Sequence, residues 1–185
     1  GYTETPAQVL EPWMCMNIYF TAMDPSNPLA PHARLVLSVL VACIRHRHME
    51  RCTNVDVRGE ELHWHVTKGK RRVRGSRPGF DVAIPIDMDA GDMIFETAQN
   101  VSEEITLKEP EATVGLVPEI VFRRKASWDE SSFAPKPMSR ANFIAIVREI
   151  LKRTGGVPTA LTFNSVRRVM PTMANCLKLP EDEAQ

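Results

Sequence analysis

Cysteine is sparse in this 185-residue sequence, and the four present (Cys15, Cys43, Cys52, Cys176) lie far apart with no C-x-x-C pair. With that spacing, and with Cys43 in an apolar run where a buried thiol is common, the thiols read as reduced and structural. Long apolar runs are also missing. The longest, residues 35–44, is about half the roughly 20 residues a membrane-spanning helix needs, and it continues into Arg45, His46 and Arg47. It reads as a core helix, and no membrane span is expected. Glu4, Pro6, Glu11 and Pro12 interrupt any secretory leader. Internal repeats and low-complexity tracts are absent too. Net charge is nil, with 23 basic residues against 23 acidic ones, so charge alone names no partner.

The distribution of that charge is informative. Residues 62–80 hold six cations (Lys68, Lys70, Arg71, Arg72, Arg74, Arg77) and no acid, whereas residues 81–119 hold ten acids and only Lys108. A basic segment inside a neutral chain is the footprint of a polyanion site or of a solvated hairpin. The length suits one buried core with a short extension. The expected division is a lead-in and linker over residues 1–31 and one domain over 32–185. The chain opens on Gly1 and stops within a helical pattern at Gln185, which reads as part of a longer product.

Apolar density predicts a short helix over residues 13–23, closed by the turn Asp24-Pro25-Ser26-Asn27-Pro28. Leu35, Val36, Val39, Leu40, Cys43 and Ile44 recur at helical spacing without a breaker, predicting one long helix over residues 32–53 with Arg45 towards its end. Residues 61–66 alternate as a half-buried strand, Lys68-Gly69-Lys70 turns the chain, and a second strand covers 82–86. Residues 90–107 read as helix, followed by a loop through Pro110, Gly115 and Pro118. The clearest element is a helix over 138–153, with Ser139 as N-cap, Phe143, Ile146, Val147, Ile150 and Leu151 on one face, and Gly155-Gly156 as its stop. A last helix starts near Thr162 or Asn164. It buries Val166, Val169, Met170, Met173 and Leu177, leaves Arg167 off that face, and is bent or shortened at Pro171.

Three motifs fall in order along these elements: Cys43-Ile44-Arg45-His46-Arg47-His48-Met49, Thr67-Lys68-Gly69-Lys70, and Asn164-Ser165-Val166-Arg167-Arg168. Together they resemble the three motifs of the tyrosine recombinase (phage integrase) family, over roughly residues 31–185 and closest to divergent eukaryotic mobile-element members. Arg45, His48 and Met49 match the first motif, Gly69-Lys70 the β-turn lysine, and Asn164-Ser165-Val166-Arg167 the His-x-Leu-Arg signature; Thr172 and Ala174-Asn175 continue the match. The resemblance implies an α+β fold, mainly helical with a small antiparallel sheet. It also implies a double-stranded DNA partner, a DNA breaking-and-rejoining activity, possible homo-oligomers on DNA, and an intracellular location, nuclear in a eukaryote.

The chemistry gives those residues roles. Transesterification at a DNA phosphate develops charge on its non-bridging oxygens, which Arg45 and Arg167 would clamp. Lys70, with Lys68 as substitute, would protonate the departing 5′ oxygen. Asn164 stands where the family has histidine; it can hydrogen-bond a phosphate oxygen but carries no proton at neutral pH. His48, Lys68, Arg71, Arg72, Arg74 and Arg168 are the expected DNA contacts. No metal or organic cofactor is required, because a tyrosyl-phosphate link would conserve the bond energy. In the family the tyrosine follows the last helix, and this sequence ends before such a position, so the 185-residue chain is expected to be inactive alone. Tyr2 and Tyr19 precede the first motif.

Plainer readings stand beside these. Arg45 could be a cation favoured at a helix C-terminus. The basic hairpin could be only solvated, and Arg123-Arg124-Lys125 reads best as a charged strand end. His63 and His65 share a strand face without a readable acidic partner for a metal. Trp64 and Trp128 read as packing. The rival to an active recombinase is a degenerate or repurposed copy serving as a binding or structural component of an assembly, a reading that Asn164 favours.

Overall fold

The computed structural model describes residues 9–42, 45–58, 61–67, 79–85, 91–111, 118–121, 127–157 and 160–169. Along these run α1 (Pro12–Met23), α2 (Ala30–Ala42), α3 (His46–Glu50), β1 (Cys52–Arg58), β2 (Glu61–Thr67) and β3 (Gly79–Pro85). They are followed by α4 (Gly91–Lys108), β4 (Pro118–Val121), β5 (Ser132–Pro137), α5 (Arg140–Thr154) and α6 (Phe163–Arg167). The fold is α+β and mainly helical, with a three-stranded antiparallel sheet β1-β2-β3 and a two-stranded antiparallel pair β4-β5. No helix among the described residues is long and apolar enough to cross a membrane.

The helices form where burial demands them. In α1 the side chains of Met14, Ile18, Thr21 and Ala22 are buried on one face, the spacing of a helix with one side in a core. The helix ends where Asp24 Oδ1 accepts from the backbone N–H and hydroxyl of Ser26, an Asx turn that competes with helix continuation. This stretch was expected to be a lead-in; Leu10, Met14, Ile18 and Ala22 in fact share one core with α2, α4 and α5. Arg34 joins three of these helices, donating from Nε to Ala22 O at 2.8 Å and from a terminal nitrogen to Thr97 Oγ1 at 3.2 Å.

In α5 the expected face of Phe143, Ile146, Val147, Ile150 and Leu151 is buried throughout. Each such side chain contributes about 1.5–3 kcal/mol of transfer free energy. Ser139 caps the helix by accepting from Asn142 N at 3.1 Å. The helix stops at Gly155 and Gly156, whose φ values of 147° and 158° lie where side-chain-bearing residues are strained.

The long helix expected over 32–53 is instead two helices. Helix α2 ends at Ala42, Arg45 is extended (φ −74°, ψ 155°), and α3 occupies only His46–Glu50 before the chain enters β1. The reason is desolvation. Residues 35–40 of α2 are all buried, and continuing that helix would carry Arg45, His46 and Arg47 together into the same core at high cost. The extended residue turns the chain so that only His46 and Met49 point inward. Strands β1 and β5 were not anticipated, and β4 lies just before Arg123-Arg124-Lys125, the run read as a strand end. The turn at Lys68-Gly69-Lys70, the run Arg123-Arg124-Lys125, and Met170, Pro171, Met173 and Leu177 lie outside the described residues.

Candidate functional site, a cationic cleft

The cleft is assembled around one histidine. His46 is 8% exposed and packs edge-on against Phe163 at 5.3 Å between ring centroids. Its Nε2 lies 3.3 Å from the Met138 carbonyl, and its Nδ1 lies 3.3 Å from Glu50 Oε1. Phe163 in turn contacts Phe143 at 5.0 Å. These rings fasten the start of α3 to α6 and to the first turns of α5. In α6, Phe163 and Val166 face inward, and Ser165 Oγ accepts from Thr162 N at 3.2 Å. Asn164 and Arg167, three residues apart, therefore share the outward face.

Around this anchor opens a cleft of about 900 Å³. Four arginines from three elements line it: Arg45 just before α3, Arg47 on α3, Arg140 at the start of α5, and Arg167 at the end of α6. Asn164 and Thr162 add polar atoms, and Leu161, Phe163 and Ile144 form apolar wall. No carboxylate lines it among the described residues. Nor, among those residues, does any of the four guanidinium groups make a hydrogen bond or ion pair. The contrast with other arginines is sharp: Arg153 pairs with Asp129 at 2.8 Å and Glu149 at 2.9 Å, and Arg34 is bonded as described above. Four cations with no anionic partner among the described residues, held around one open concavity, repel one another and gain most from an incoming anion.

No family model and no curated protein matches the sequence. Solved structures do match in three dimensions. One is the XerH site-specific recombinase bound to difH substrate in a pre-cleavage complex, with TM-score 0.59 and 10% identity over 95% of this chain and 44% of that one. The other is the Tn1549 transposon integrase in complex with circular intermediate DNA. Two of its structures align at TM-scores 0.51 and 0.53, with 14% and 13% identity, over 98% of this chain and 57% of theirs. The chain carries the tyrosine recombinase fold. It spans about half the length of the recombinase chains it matches.

On this recombinase fold, the cleft brings together Arg45, Asn164 and Arg167, residues far apart in sequence. Arg45 occupies an extended position between α2 and α3. His48 is half-buried on α3, and Arg168 is exposed just after α6; neither lines the cleft. Lys68, Lys70, Arg71, Arg72 and Arg74 lie outside the described residues. Sequence reasoning missed His46 as the anchor and Arg47 and Arg140 as cleft cations. The only signal for Arg140 was its place beside the Ser139 cap. Among the described residues no group of three or more His, Cys, Asp or Glu could hold a metal.

Proposed function

We propose that this domain binds double-stranded DNA through the arginine-lined cleft, as part of a DNA breaking-and-rejoining system of the recombinase and integrase kind. The observation that carries the reading is the convergence of Arg45 and Arg167, both unpaired among the described residues, on one cleft of a recombinase fold. Two guanidinium groups approaching from different elements can hold the two non-bridging oxygens of a phosphodiester and stabilise the charge that develops there. Asn164, on the same face of α6 as Arg167, supplies an amide hydrogen bond to one of those oxygens. Lys70, in the segment between β2 and β3, would protonate the leaving 5′ oxygen. The Tn1549 integrase structures are complexes with DNA, and XerH is bound to its difH substrate, which supports the choice of polyanion.

One observation favours a second reading. Asn164 lines the cleft where the recombinase signature has histidine, and an amide cannot shuttle a proton. A repurposed copy that binds DNA, or an assembly partner, without cutting would have this composition. Fluorescence anisotropy with labelled duplexes of unrelated sequence tests the proposal. Weak binding is expected, similar for each duplex and falling steeply with salt, because the contacts are to phosphates rather than base edges. Arg45→Ala combined with Arg167→Ala should reduce it at least tenfold. No binding at low salt, or affinity flat across salt, would remove the DNA reading and leave the assembly component.

A further inference from the structure

We infer that the cleft engages more than one phosphate, with Arg140 and Arg47 holding the phosphates that flank the one clamped by Arg45 and Arg167; this rests on the DNA-binding reading above. A single phosphodiester offers two non-bridging oxygens, and two bidentate guanidinium groups satisfy them. Four arginines line this cleft, and none has a partner among the described residues. The surplus pair is therefore built for further anions. Their placement separates them from the central pair: Arg47 lies beyond Arg45 on α3, and Arg140 stands on α5, an element that contributes neither motif arginine. A concavity of about 900 Å³ is far larger than one phosphate group requires. A nucleic acid strand supplies anions at a regular interval, one per roughly 3.4 Å of axis on each strand. A lone phosphate or a mononucleotide supplies none beyond its own.

The test compares salt dependence between arginines inside and outside the cleft. Arg148, on α5 away from the cleft, carries the same charge and lines a separate depression with Trp128 and Lys152. Duplex binding is measured by anisotropy over a salt series for the full chain and for Arg140→Gln, Arg47→Gln and Arg148→Gln, with thermal midpoints recorded to show that each is folded. Removing one arginine from a phosphate reduces the slope of log affinity against log salt by about 0.9. Arg140→Gln and Arg47→Gln should each lower the slope by about that amount, Arg148→Gln should leave it unchanged, and Arg140→Lys should restore it. An Arg140→Gln slope no different from that of Arg148→Gln would overturn the flanking assignment while duplex binding itself stands. Absence of duplex binding by the unsubstituted chain would overturn both.

Discussion

His32 illustrates how one buried residue sets a pH limit on this fold. It is 4% exposed on α2, beside Phe133 of β5, and its Nε2 lies 2.8 Å from Ser131 Oγ. Ser131 already donates its hydroxyl proton to Trp128 O at 2.7 Å, so the imidazole must donate from Nε2, and Nδ1 remains a bare acceptor. That nitrogen is buried without a partner among the described residues. Burial pushes the His32 pKa down to about 4; Asp129 opposes the shift and Arg153 adds to it. Between the ordinary value near 6.5 and about 4, the unfolded chain takes up a proton that the folded chain refuses, so stability rises with pH there and is lost as pH falls. The whole shift corresponds to at most about 3 kcal/mol. The thermal midpoint should therefore fall between pH 6.5 and pH 4, and the fall should be shallower in His32→Leu. Parallel profiles for the two proteins, followed by circular dichroism, would show that another group dominates the acid transition.

At the level of elements, the junction between α5 and α1 makes a comparable commitment. Gly155 (φ 147°, ψ −26°) ends α5, and a Cβ there would stand 3.4 Å from the Trp13 ring. Asn17 of α1 closes the same end by donating to Thr154 O at 3.0 Å. Gly155→Ala should cost about 1–3 kcal/mol, the range for a side chain forced into such backbone. Ser139→Ala, which removes the cap at the other end of α5, should cost about 1 kcal/mol. Urea midpoints measure both, and an unchanged midpoint for Gly155→Ala would mean that the α5 terminus relaxes freely. Helix α5 was legible in the sequence down to its cap, face and stop, because all three signals are local. The break of the long helix by Arg45 was not. The apolar pattern of residues 35–44 carries no breaker, and the extended Arg45 follows from what lies around it, namely Phe163 and Met138 receiving His46. Strand β1 has the alternation Val55-Asp56-Val57-Arg58, hidden by the helix drawn through Thr53. Strand β5 contains Pro135 and Pro137, which read as loop. Register adds what spacing cannot: Asp56 pairs with His63, and Asp81 with His65, across neighbouring strands. In the site, Arg45, Asn164 and Arg167 were legible through ordered motifs, whereas Arg47 and Arg140 join the cleft only through the folding of α3 and α5.

Across the whole molecule, a cleft lined by cations and a complete reaction centre are different things. Cleavage by transesterification needs a hydroxyl oxygen in line with the departing 5′ oxygen: an O–P bond forms, the P–O5′ bond breaks, and the 5′ oxygen takes up a proton. The only side-chain hydroxyl among the described residues lining the cleft is that of Thr162. The one cleft histidine, His46, has Met138 O against one ring nitrogen and Glu50 against the other, leaving it poorly placed to take a proton from Thr162. Tyr19 is half-buried on α1, edge-on to Phe20 at 5.8 Å, and does not line the cleft. The 185-residue chain incubated with labelled, nicked duplex should therefore give no protein-linked DNA band on a denaturing gel, at salt concentrations where anisotropy shows it bound. A band lost in Tyr19→Phe or Thr162→Val would place the nucleophile within this chain and overturn that expectation. Binding without a band is the outcome expected if Arg45 and Arg167 clamp a phosphate while the Thr162 hydroxyl, the one lining the cleft among the described residues, has no base placed to activate it.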